Sequence, residues 1–301
     1  MQTRTICCKL ITTSEIEEAL KETSERFANA CNYTLQQAVA EKTTHALKLH
    51  QLCYAQIRKQ FGLSANLTVR AIRRVSAMMT KLKGKRKAPR KFLPKSIDYD
   101  ARIFYFLPKE DSVSIKTVGG RFRIPMLLGA YQRKALEGKN PSATTVLNKG
   151  GSWYVHMVVE YAPKKSVAAG VMGIDLGITN IATTSTNVRI SGKTRQHFKS
   201  GRLKVRASLQ SKGTQGAKKA LKRLSGKENR RIKHENHVLS KQLVEEAIRH
   251  DCGVIRMEQL KAIRDRTKTW NKHLNRMVAG WSFYQLQQFV KYKAAAEGIS
   301  V

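Results

Sequence analysis

Two acidic residues stand where apolar, strand-like segments of the sequence end. Asp175 lies in GIDLG, between Gly173 and Gly177, and Glu258 closes VIRME. A carboxylate beside an apolar core costs free energy unless a cation or a donor compensates it. If the two segments form neighbouring parallel strands, both carboxylates emerge side by side at one sheet edge. Mg²⁺ prefers such oxygens, and two Mg²⁺ ions roughly 4 Å apart can activate a water and stabilise the leaving oxygen of a phosphodiester.

Each candidate residue also has a simpler interpretation. Asp175 could cap a helix or occupy a turn, and Glu258 could begin a surface loop. His234 and His237, in HENH, do not have the spacing of HExxH, so we expect them on a basic helix that faces phosphate or water. The five cysteines include no CxxC pair, which gives neither a zinc ribbon nor a disulfide framework, and we expect buried, small apolar side chains.

Positive charge dominates the composition. Lys and Arg number 57 against 21 Asp and Glu in 301 residues, a formal net charge of +36. A compact fold with this surplus repels itself unless a polyanion neutralises it, and contacts to phosphate release counterions. Nucleic acid is therefore the expected partner, ahead of a merely solvated surface or an anionic membrane. Because no apolar run reaches the roughly 18 residues of a membrane span and no signal-peptide core is seen, we expect a cytoplasmic, nucleoid-associated protein.

Two segments concentrate the positive charge. The first, KLKGKRKAPRKFLPK at 81–95, holds prolines and a glycine that no helix or sheet interior accommodates. It predicts a basic loop that lies on nucleic acid or, alternatively, a solvated loop. The second, within a basic stretch at about 201–250, predicts a helix whose first half faces nucleic acid. The predicted nucleic-acid-binding residues are Lys81, Lys83, Lys85, Arg86, Lys87, Arg90, Lys91, Lys218, Lys219, Lys222, Arg223, Lys227, Arg230, Arg231 and Lys233.

The N-terminal half is rich in strand-like segments. RTICCKLI, RIFYFL, VSIKTV and RFRIPM are β-branched and aromatic, and the glycine pairs at 119–120 and 150–151 are typical of hairpin turns. Arg alternates with Phe and Tyr here, which suits base stacking or, more simply, one core-facing strand surface. The pattern favours a small barrel or sandwich.

A helical insertion interrupts these strands at about 14–82. Apolar residues recur at helical spacing in three successive stretches, and the expected stripes include Val39 in the first and Leu47 in the second. The three stretches predict a small helical bundle. PKKSVAA at 163–169 marks the expected boundary with a second domain.

The second domain is expected to alternate strands and helices. The predicted elements, in chain order, are a strand at GIDLG, a β-meander through His197, basic helices at about 201–250, a strand at 253–257, a helix at about 282–296 and the start of a strand at 298–301.

Four runs of the sequence resemble a known family. GIDLGITNIA, GKENRRIKHENHVLSKQLVEEA, VIRMEQL and GWSFYQLQQFVKYKAAAEGI are similar, in this order, to the successive motifs of the OrfB/TnpB transposon-encoded proteins, relatives of the compact type V CRISPR effectors. The resemblance extends from about residue 153 to the end, and the N-terminal half matches only in architecture. It implies an α+β and α/β fold: a barrel-like wedge β-domain at 1–165 with a helical recognition insertion, then an incomplete RNase H-like (RuvC) nuclease domain at 166–301.

The resemblance also implies a function. Asp175 matches the first RuvC carboxylate and Glu258 the second, so Mg²⁺ is the implied metal and both residues are the implied catalytic ligands. The family is that of RNA-guided DNA endonucleases of transposons, in which a guide RNA pairs with one DNA strand and the protein reads a short flanking motif. A role in transposition and DNA recombination follows, with strand transfer left to a separately encoded enzyme. A non-cleaving, guide-directed DNA-binding regulator remains an alternative, and a ribosomal-type RNA binder would explain the charge but not the acids at the strand ends.

The sequence departs from the family pattern after Ile299. Family members continue into a zinc ribbon and a third catalytic Asp, whereas no Asp follows Asp265 here and no paired cysteines occur. We therefore expect a C-terminally truncated copy without zinc, which binds nucleic acid but cleaves it poorly. We also expect a sheet edge and an apolar helix face to be exposed.

Overall fold

The computed structural model describes residues 2–84, 90–141, 143–162, 168–260, 271, 275, 277–278 and 280–301. Within that part of the chain, no helix combines the length and the apolar character needed to cross a membrane. The chain divides into two compact units, Met1–Tyr161 and Ala162–Val301. The division falls four residues before the boundary expected at 165.

A seven-stranded antiparallel sheet forms the first unit and is nearly closed, like a barrel. Its strands are β1 (Gln2–Leu10), β2 (Ser96–Asp100), β3 (Phe104–Leu107), β4 (Ser112–Thr117), β5 (Gly120–Leu127), β6 (Ala143–Lys149) and β7 (Ser152–Tyr161), and a short helix, α4 (Ala130–Leu136), precedes β6. They neighbour one another in the order β2-β6-β7-β1-β5-β4-β3. Gly150 and Gly151, at φ +61° and +81°, make the β6–β7 turn as the sequence predicts. In the β4–β5 hairpin the turn lies one residue earlier than predicted, because Gly120 already pairs with Thr117.

Three helices are inserted between β1 and β2: α1 (Ser14–Ala40), α2 (Ala46–Phe61) and α3 (Ala65–Leu82). Their bounds match the predicted insertion, but two residues of the expected apolar stripes do not face the core. Val39 is 51% exposed and Leu47 is 70% exposed. In α2 the buried stripe starts at Leu49 and continues at i+4 and i+8, so Leu47 lies on the opposite side of the helix.

Ion pairs join α3 to β2. Arg74 donates from two nitrogens to the Asp98 carboxylate at 2.7 and 2.5 Å and from a third to the Ser96 carbonyl at 2.8 Å. Arg70 donates twice to Asp100, at 2.9 Å. Both carboxylates at this sheet edge are therefore neutralised by the chain itself.

A four-stranded mixed sheet forms the core of the second unit. Its strands are β8 (Gly170–Asp175), β9 (Asn180–Thr184), β10 (Arg189–Ser191) and β11 (Cys252–Met257), in the order β10-β9-β8-β11. The helices that lie wholly within the described residues are α5 (Lys193–Lys212), α6 (Gln215–Arg249) and α7 (Phe283–Ala296). β8 and β11 are parallel, and the other two pairs are antiparallel.

The β-meander ends at Ser191, so the prediction that it runs through His197 is wrong. Gly192 explains why the chain leaves the sheet there. A Cβ at this position would lie 2.3 Å from the Ile178 carbonyl oxygen, and the Gly192 amide donates to the Thr179 carbonyl at 2.7 Å. Only a glycine permits this close approach directly after β10, and α5 begins at the next residue.

Helices α6 and α7 pack on one face of this sheet. The buried residues that make the contact are Met172, Ile174, Leu243, Val244, Ala247, Ile255, Leu286 and Val290. Ser300 adds a parallel bridge to Val254, and the Ser300 carbonyl accepts from the Ile255 amide at 2.8 Å. The predicted last strand is thus present as one bridge beside β11.

The sequence predicts that all five cysteines are buried, and this prediction is wrong for one of them. Cys8, Cys31, Cys53 and Cys252 are buried, whereas Cys7 is exposed. Successive side chains of β1 point to opposite sides of the sheet, so that Cys8 faces the core and Cys7 faces outward. Burial raises the pKa of Cys31 to about 12, which leaves a neutral thiol in the helical core.

Candidate active site

Asp175 and Glu258 lie at the ends of two adjacent parallel strands. Ile174 on β8 is in register with Met257 on β11, so the next residues along the two strands are Asp175 and Glu258. Neighbouring strands lie about 4.8 Å apart. Both acids line one shallow groove, which the structure also lines with Gly173, Ile174, Thr183, Thr184, Ser185, Arg256 and Met257. The structure therefore brings the two predicted site residues together.

The pleat of the sheet explains why both acids face solvent. Ile174 and Leu176, on either side of Asp175, are buried in the core, and Asp175 is exposed. Ile255 is buried, whereas Glu258 is exposed. Across the described part of this unit, the ion pairs involve other acids, and no cationic side chain lies within 4 Å of either carboxylate. Both carboxylates are therefore available to a cation from solution.

Two local contacts fix the strand ends. The side-chain amide of Gln287, on α7, donates to the Glu258 backbone carbonyl at 2.6 Å. This hydrogen bond fixes the end of β11 to a helix that packs on the sheet. After Asp175, the chain turns tightly into β9: a Cβ at Gly177 would lie 2.7 Å from the Asn180 carbonyl oxygen. Gly173 has a different role, since a Cβ there would meet only the Ser185 side chain, at 3.9 Å. The second glycine of GIDLG permits the turn, and the first leaves the groove unobstructed.

The donor set of this groove suits a hard divalent cation. The two carboxylates supply the oxygens that Mg²⁺ prefers. Thr183 is the cross-strand partner of Asp175, so its side chain projects from the same face of the sheet. In the ranges that the structure describes, no group of three or more His, Cys, Asp or Glu residues is arranged to hold a metal. These residues fit a Mg²⁺ site in which two protein carboxylates are completed by water.

A basic helical hairpin, residues 193–235, adjoins this sheet in the chain. α5 contains no acidic residue, and the two acids in this part of α6 are engaged within the unit: Glu228 pairs with Arg206 at 2.8 Å and Glu235 with Arg195 at 3.0 Å. The outward surface is left cationic. The predicted α6 residues, all exposed, are Lys218, Lys219, Lys222, Arg223, Lys227, Arg230, Arg231 and Lys233. Phosphate binding by them stays a prediction.

Arg231 also has a structural contact. Its guanidinium lies 3.9 Å from the centre of the Phe198 ring on α5 and pairs with Glu235 at 3.0 Å. It helps to hold α5 against α6, in addition to being exposed.

A buried polar network, which the sequence analysis missed, fixes the base of the basic hairpin. The Arg195 guanidinium donates to Asn236 Oδ1 at 2.8 Å, and Asn236 Nδ2 donates to Ser282 Oγ at 3.0 Å and to Gln285 Oε1 at 2.9 Å. Asn236 is fully buried. The network therefore joins α5 and α6 to the start of α7, the helix that holds Glu258 through Gln287. The one sequence signal is an Asn inside an otherwise amphipathic helix, which does not identify a partner.

The two histidines of HENH differ. His234 is exposed, as predicted, whereas His237 is half-buried and stacks on Phe289 of α7 with ring centres 3.9 Å apart, so only part of its ring faces outward. Burial, followed by the nearby Lys293 ammonium, lowers the pKa of His237.

The basic loop of the first unit is partly described. Lys85, Arg86 and Lys87 lie outside the described residues. Those that the structure describes, Lys81, Lys83, Arg90 and Lys91, are all exposed. The far end of the loop is anchored on α1, because the Asn32 side chain accepts from the Phe92 amide at 2.7 Å and donates to its carbonyl at 3.0 Å. The exposed side chains of Arg90 and Lys91 therefore lie next to a segment that is held in place on α1.

Comparison with known proteins gives three sequence relationships. A family model described as "Probable transposase" (OrfB_IS605) matches residues 154–264. The TnpB-like protein MJ0751 of Methanocaldococcus jannaschii is 27% identical over 64% of this chain and 73% of its own length. The CRISPR-associated endodeoxyribonuclease Cas12f1 of Sulfoacidibacillus thermotolerans is 29% identical over 63% of this chain and 46% of its own length. The chain thus spans less than half of that Cas12f1.

One solved structure supports the fold. The cryo-EM structure of a Cas12f1–sgRNA–target DNA complex superposes with a TM-score of 0.65 at 16% identity, over 96% of this chain and 73% of the other. The predicted fold class is confirmed: a barrel-like β-domain with a helical insertion, followed by an RNase H-like mixed sheet.

Proposed function

We propose that the chain, which resembles the TnpB family of transposon-associated, nuclease-like proteins, is an RNA-guided DNA endonuclease that depends on Mg²⁺. Asp175 and Glu258 would hold the metal, DNA and a guide RNA would be its partners, and strand transfer would belong to a separate enzyme. The observation that carries the proposal is the parallel register that sets these two acids side by side in one groove, exposed and without a cationic partner among the described residues.

Each part of the chain has a distinct task in this proposal. The chemistry that bound Mg²⁺ supplies is activation of a water and stabilisation of the leaving oxygen. Asp175 and Glu258 fix the position of that charge, and Gly173 leaves room for a sugar-phosphate chain above β8. The basic hairpin and the basic loop bind phosphates and give the protein its affinity for nucleic acid. Guide pairing supplies the sequence specificity, and the first unit reads a short flanking motif.

The relatives support this assignment. One of them is an endodeoxyribonuclease, and the matching Cas12f1 fold was determined with sgRNA and target DNA. We assign the same activity to this chain because Asp175 and Glu258 resemble the first two RuvC carboxylates.

A second function is favoured by the size of the donor set. The described residues supply two carboxylates at the groove and no larger metal-binding group. Two carboxylates hold Mg²⁺ more weakly than three would. A guide-directed DNA-binding regulator that does not cleave is therefore the alternative function.

One assay separates the two functions. The purified protein, its guide RNA and a duplex that matches the guide are incubated with Mg²⁺. Cleavage that disappears in Asp175→Asn and persists in Asp251→Asn supports the endonuclease. Asp251 is exposed, at the other end of β11 and at φ +49°, a conformation that Asn accepts well, so it is a matched control for the loss of one carboxylate. Guide-dependent binding without any cleavage supports the regulator.

A further inference from the structure

The four-stranded sheet has one face that the described residues leave uncovered. Met172, Ile174 and Ile255 point to the helices, and the alternating residues Val171 and Asp175 point the other way. Val171 is 51% exposed. We call this side, with Arg256 and Glu258 of β11, the open face. It carries the carboxylate groove, so any nucleic acid that reaches the two acids must lie on it.

A cross-strand row places an arginine beside Asp175. Asp175 on β8 pairs with Thr183 on β9, and Thr183 pairs with Arg189 on β10. Directly paired residues of adjacent strands share a face, so Arg189 lies on the open face, two strands and roughly 10 Å from Asp175. Its side chain is exposed.

A second arginine lies beside Glu258 on the same strand. Arg256 precedes Glu258 by two residues, so it shares its face at a distance of about 7 Å along β11. Its register partner on β8 is Gly173, where a Cβ would have no neighbour closer than 3.9 Å. The space over β8 that this glycine leaves open is within reach of the Arg256 side chain.

Neither arginine has an internal role in the described part of the molecule. Arg206, Arg231 and Arg249 of this unit are in ion pairs, whereas no carboxylate lies within 4 Å of the guanidinium of Arg189 or Arg256. Both guanidinium groups are exposed and lie near Asp175 and Glu258 without pairing with them, so both are available to bind an anion from solution. The planar guanidinium fork matches two oxygens of a phosphodiester.

We propose that Arg189 and Arg256 are a phosphate-binding pair that holds one single strand of nucleic acid across the open face, with Arg189 on one side of Asp175 and Arg256 on the other, beside Glu258. The proposal deepens the proposed function, on which it rests for its biological meaning. The cations offset the repulsion between the phosphates and the two carboxylates, and they position the strand over the groove.

The test measures binding of a short, fluorescently labelled single-stranded DNA by anisotropy, in metal-free buffer and without guide RNA. We expect the double variant R189Q/R256Q to bind roughly tenfold more weakly, with a slope of log K against log salt that is smaller by about 1.4, since each phosphate contact of a single strand contributes about 0.7. Lys241→Gln removes one exposed charge from α6, on the helical side of the sheet, and should change neither quantity. The charge-conserving R189K/R256K should restore the slope and part of the affinity.

A thermodynamic cycle establishes where the strand lies. Asp175→Asn removes repulsion and should strengthen binding in the wild-type background, but much less in R189Q/R256Q, because the strand is then no longer held over the groove. If the effects of Asp175→Asn and of the arginine changes simply add, or if R189Q/R256Q binds like Lys241→Gln, the proposal is wrong. No cleavage is measured, so these results judge the arginine pair even if the protein proves not to be a nuclease.

Discussion

The two sheets of this protein treat their acidic residues in opposite ways. In the first unit, Asp98 on β2 accepts two hydrogen bonds from Arg74 on α3. Asp100 on the same strand accepts two from Arg70. In the second, Asp175 and Glu258 share a groove with no cationic partner within 4 Å among the described residues. The acids of the first unit stabilise the fold, and those of the second leave a negative site for a cation from solution.

The contrast shows that residue type at a strand end does not determine its role. The chain carries 57 Lys and Arg, so cations to neutralise an acid are plentiful. Whether a cationic side chain pairs with an acid depends on which helix packs against the strand. Helix α3 covers the edge of β2, whereas α6 and α7 cover only the face of the β8–β11 pair that is opposite to the two acids. The open face keeps its acids unpaired for this reason.

Removal of either groove carboxylate should have the strongest consequence for activity. Asp175→Asn or Glu258→Gln should reduce Mg²⁺-dependent cleavage by more than about a hundredfold, because several kcal/mol of transition-state stabilisation depend on the bound metal. The free energy of unfolding should not fall, since neither carboxylate forms an ion pair with any residue that the structure describes. Rates on a target duplex and urea denaturation measure the two quantities. Cleavage retained by both variants would show that the metal is held elsewhere.

The next effect concerns the polar interior of the second unit. Asn236→Ala should lower the free energy of unfolding by about 3 kcal/mol, because Arg195, Ser282 and Gln285 lose a buried partner. Asn229→Ala is the matched control, since Asn229 is exposed on the same helix. Urea denaturation gives both values, and equal stabilities of the two variants would contradict the network.

A smaller effect is expected at the paired acids of the first unit. Asp98→Asn should cost about 2 kcal/mol of stability, because Asn offers Arg74 one neutral acceptor in place of a carboxylate that accepts two hydrogen bonds. Cleavage per folded molecule should be unchanged. Urea denaturation of Asp98→Asn, with Asp251→Asn as the control, measures the change in the free energy of unfolding. A decrease below about 0.5 kcal/mol in Asp98→Asn would show that the Arg74–Asp98 pair contributes no more than an ordinary surface ion pair.

The smallest effect is a pH dependence. Burial against α7 lowers the pKa of His237 in the folded state, so the unfolded chain binds the proton more readily. The stabilising contribution of neutral His237 is complete above its unfolded pKa, about 6.5, and is lost as the pH falls through the folded value. His237→Phe, which retains a ring to stack on Phe289, should reduce the loss of stability on acidification. Denaturation curves at several pH values measure it, and parallel curves for both proteins would exclude this contribution.

The sequence predicts much of what positions the site. Apolar runs that end in Asp175 and Glu258 indicate strand ends, and Gly150 and Gly151 indicate a hairpin turn, because these signals depend on neighbouring residues alone. Leu47 was misassigned because an isolated apolar residue fits several helical stripes until the partner helix is known. The stacking of His237, the network of Asn236 and the positions of Arg189 and Arg256 depend on contacts between segments far apart in the chain. Register across four strands is invisible in the sequence.

The most direct test of the central claim is metal binding itself. Mn²⁺, observed by electron paramagnetic resonance during titration of the intact chain, reports on the groove without guide RNA or DNA. We expect the wild-type protein and Asp98→Asn to bind Mn²⁺ with the same affinity, and Asp175→Asn and Glu258→Gln each to weaken binding severely. Equal Mn²⁺ affinity in wild type, Asp175→Asn and Glu258→Gln would contradict the central claim.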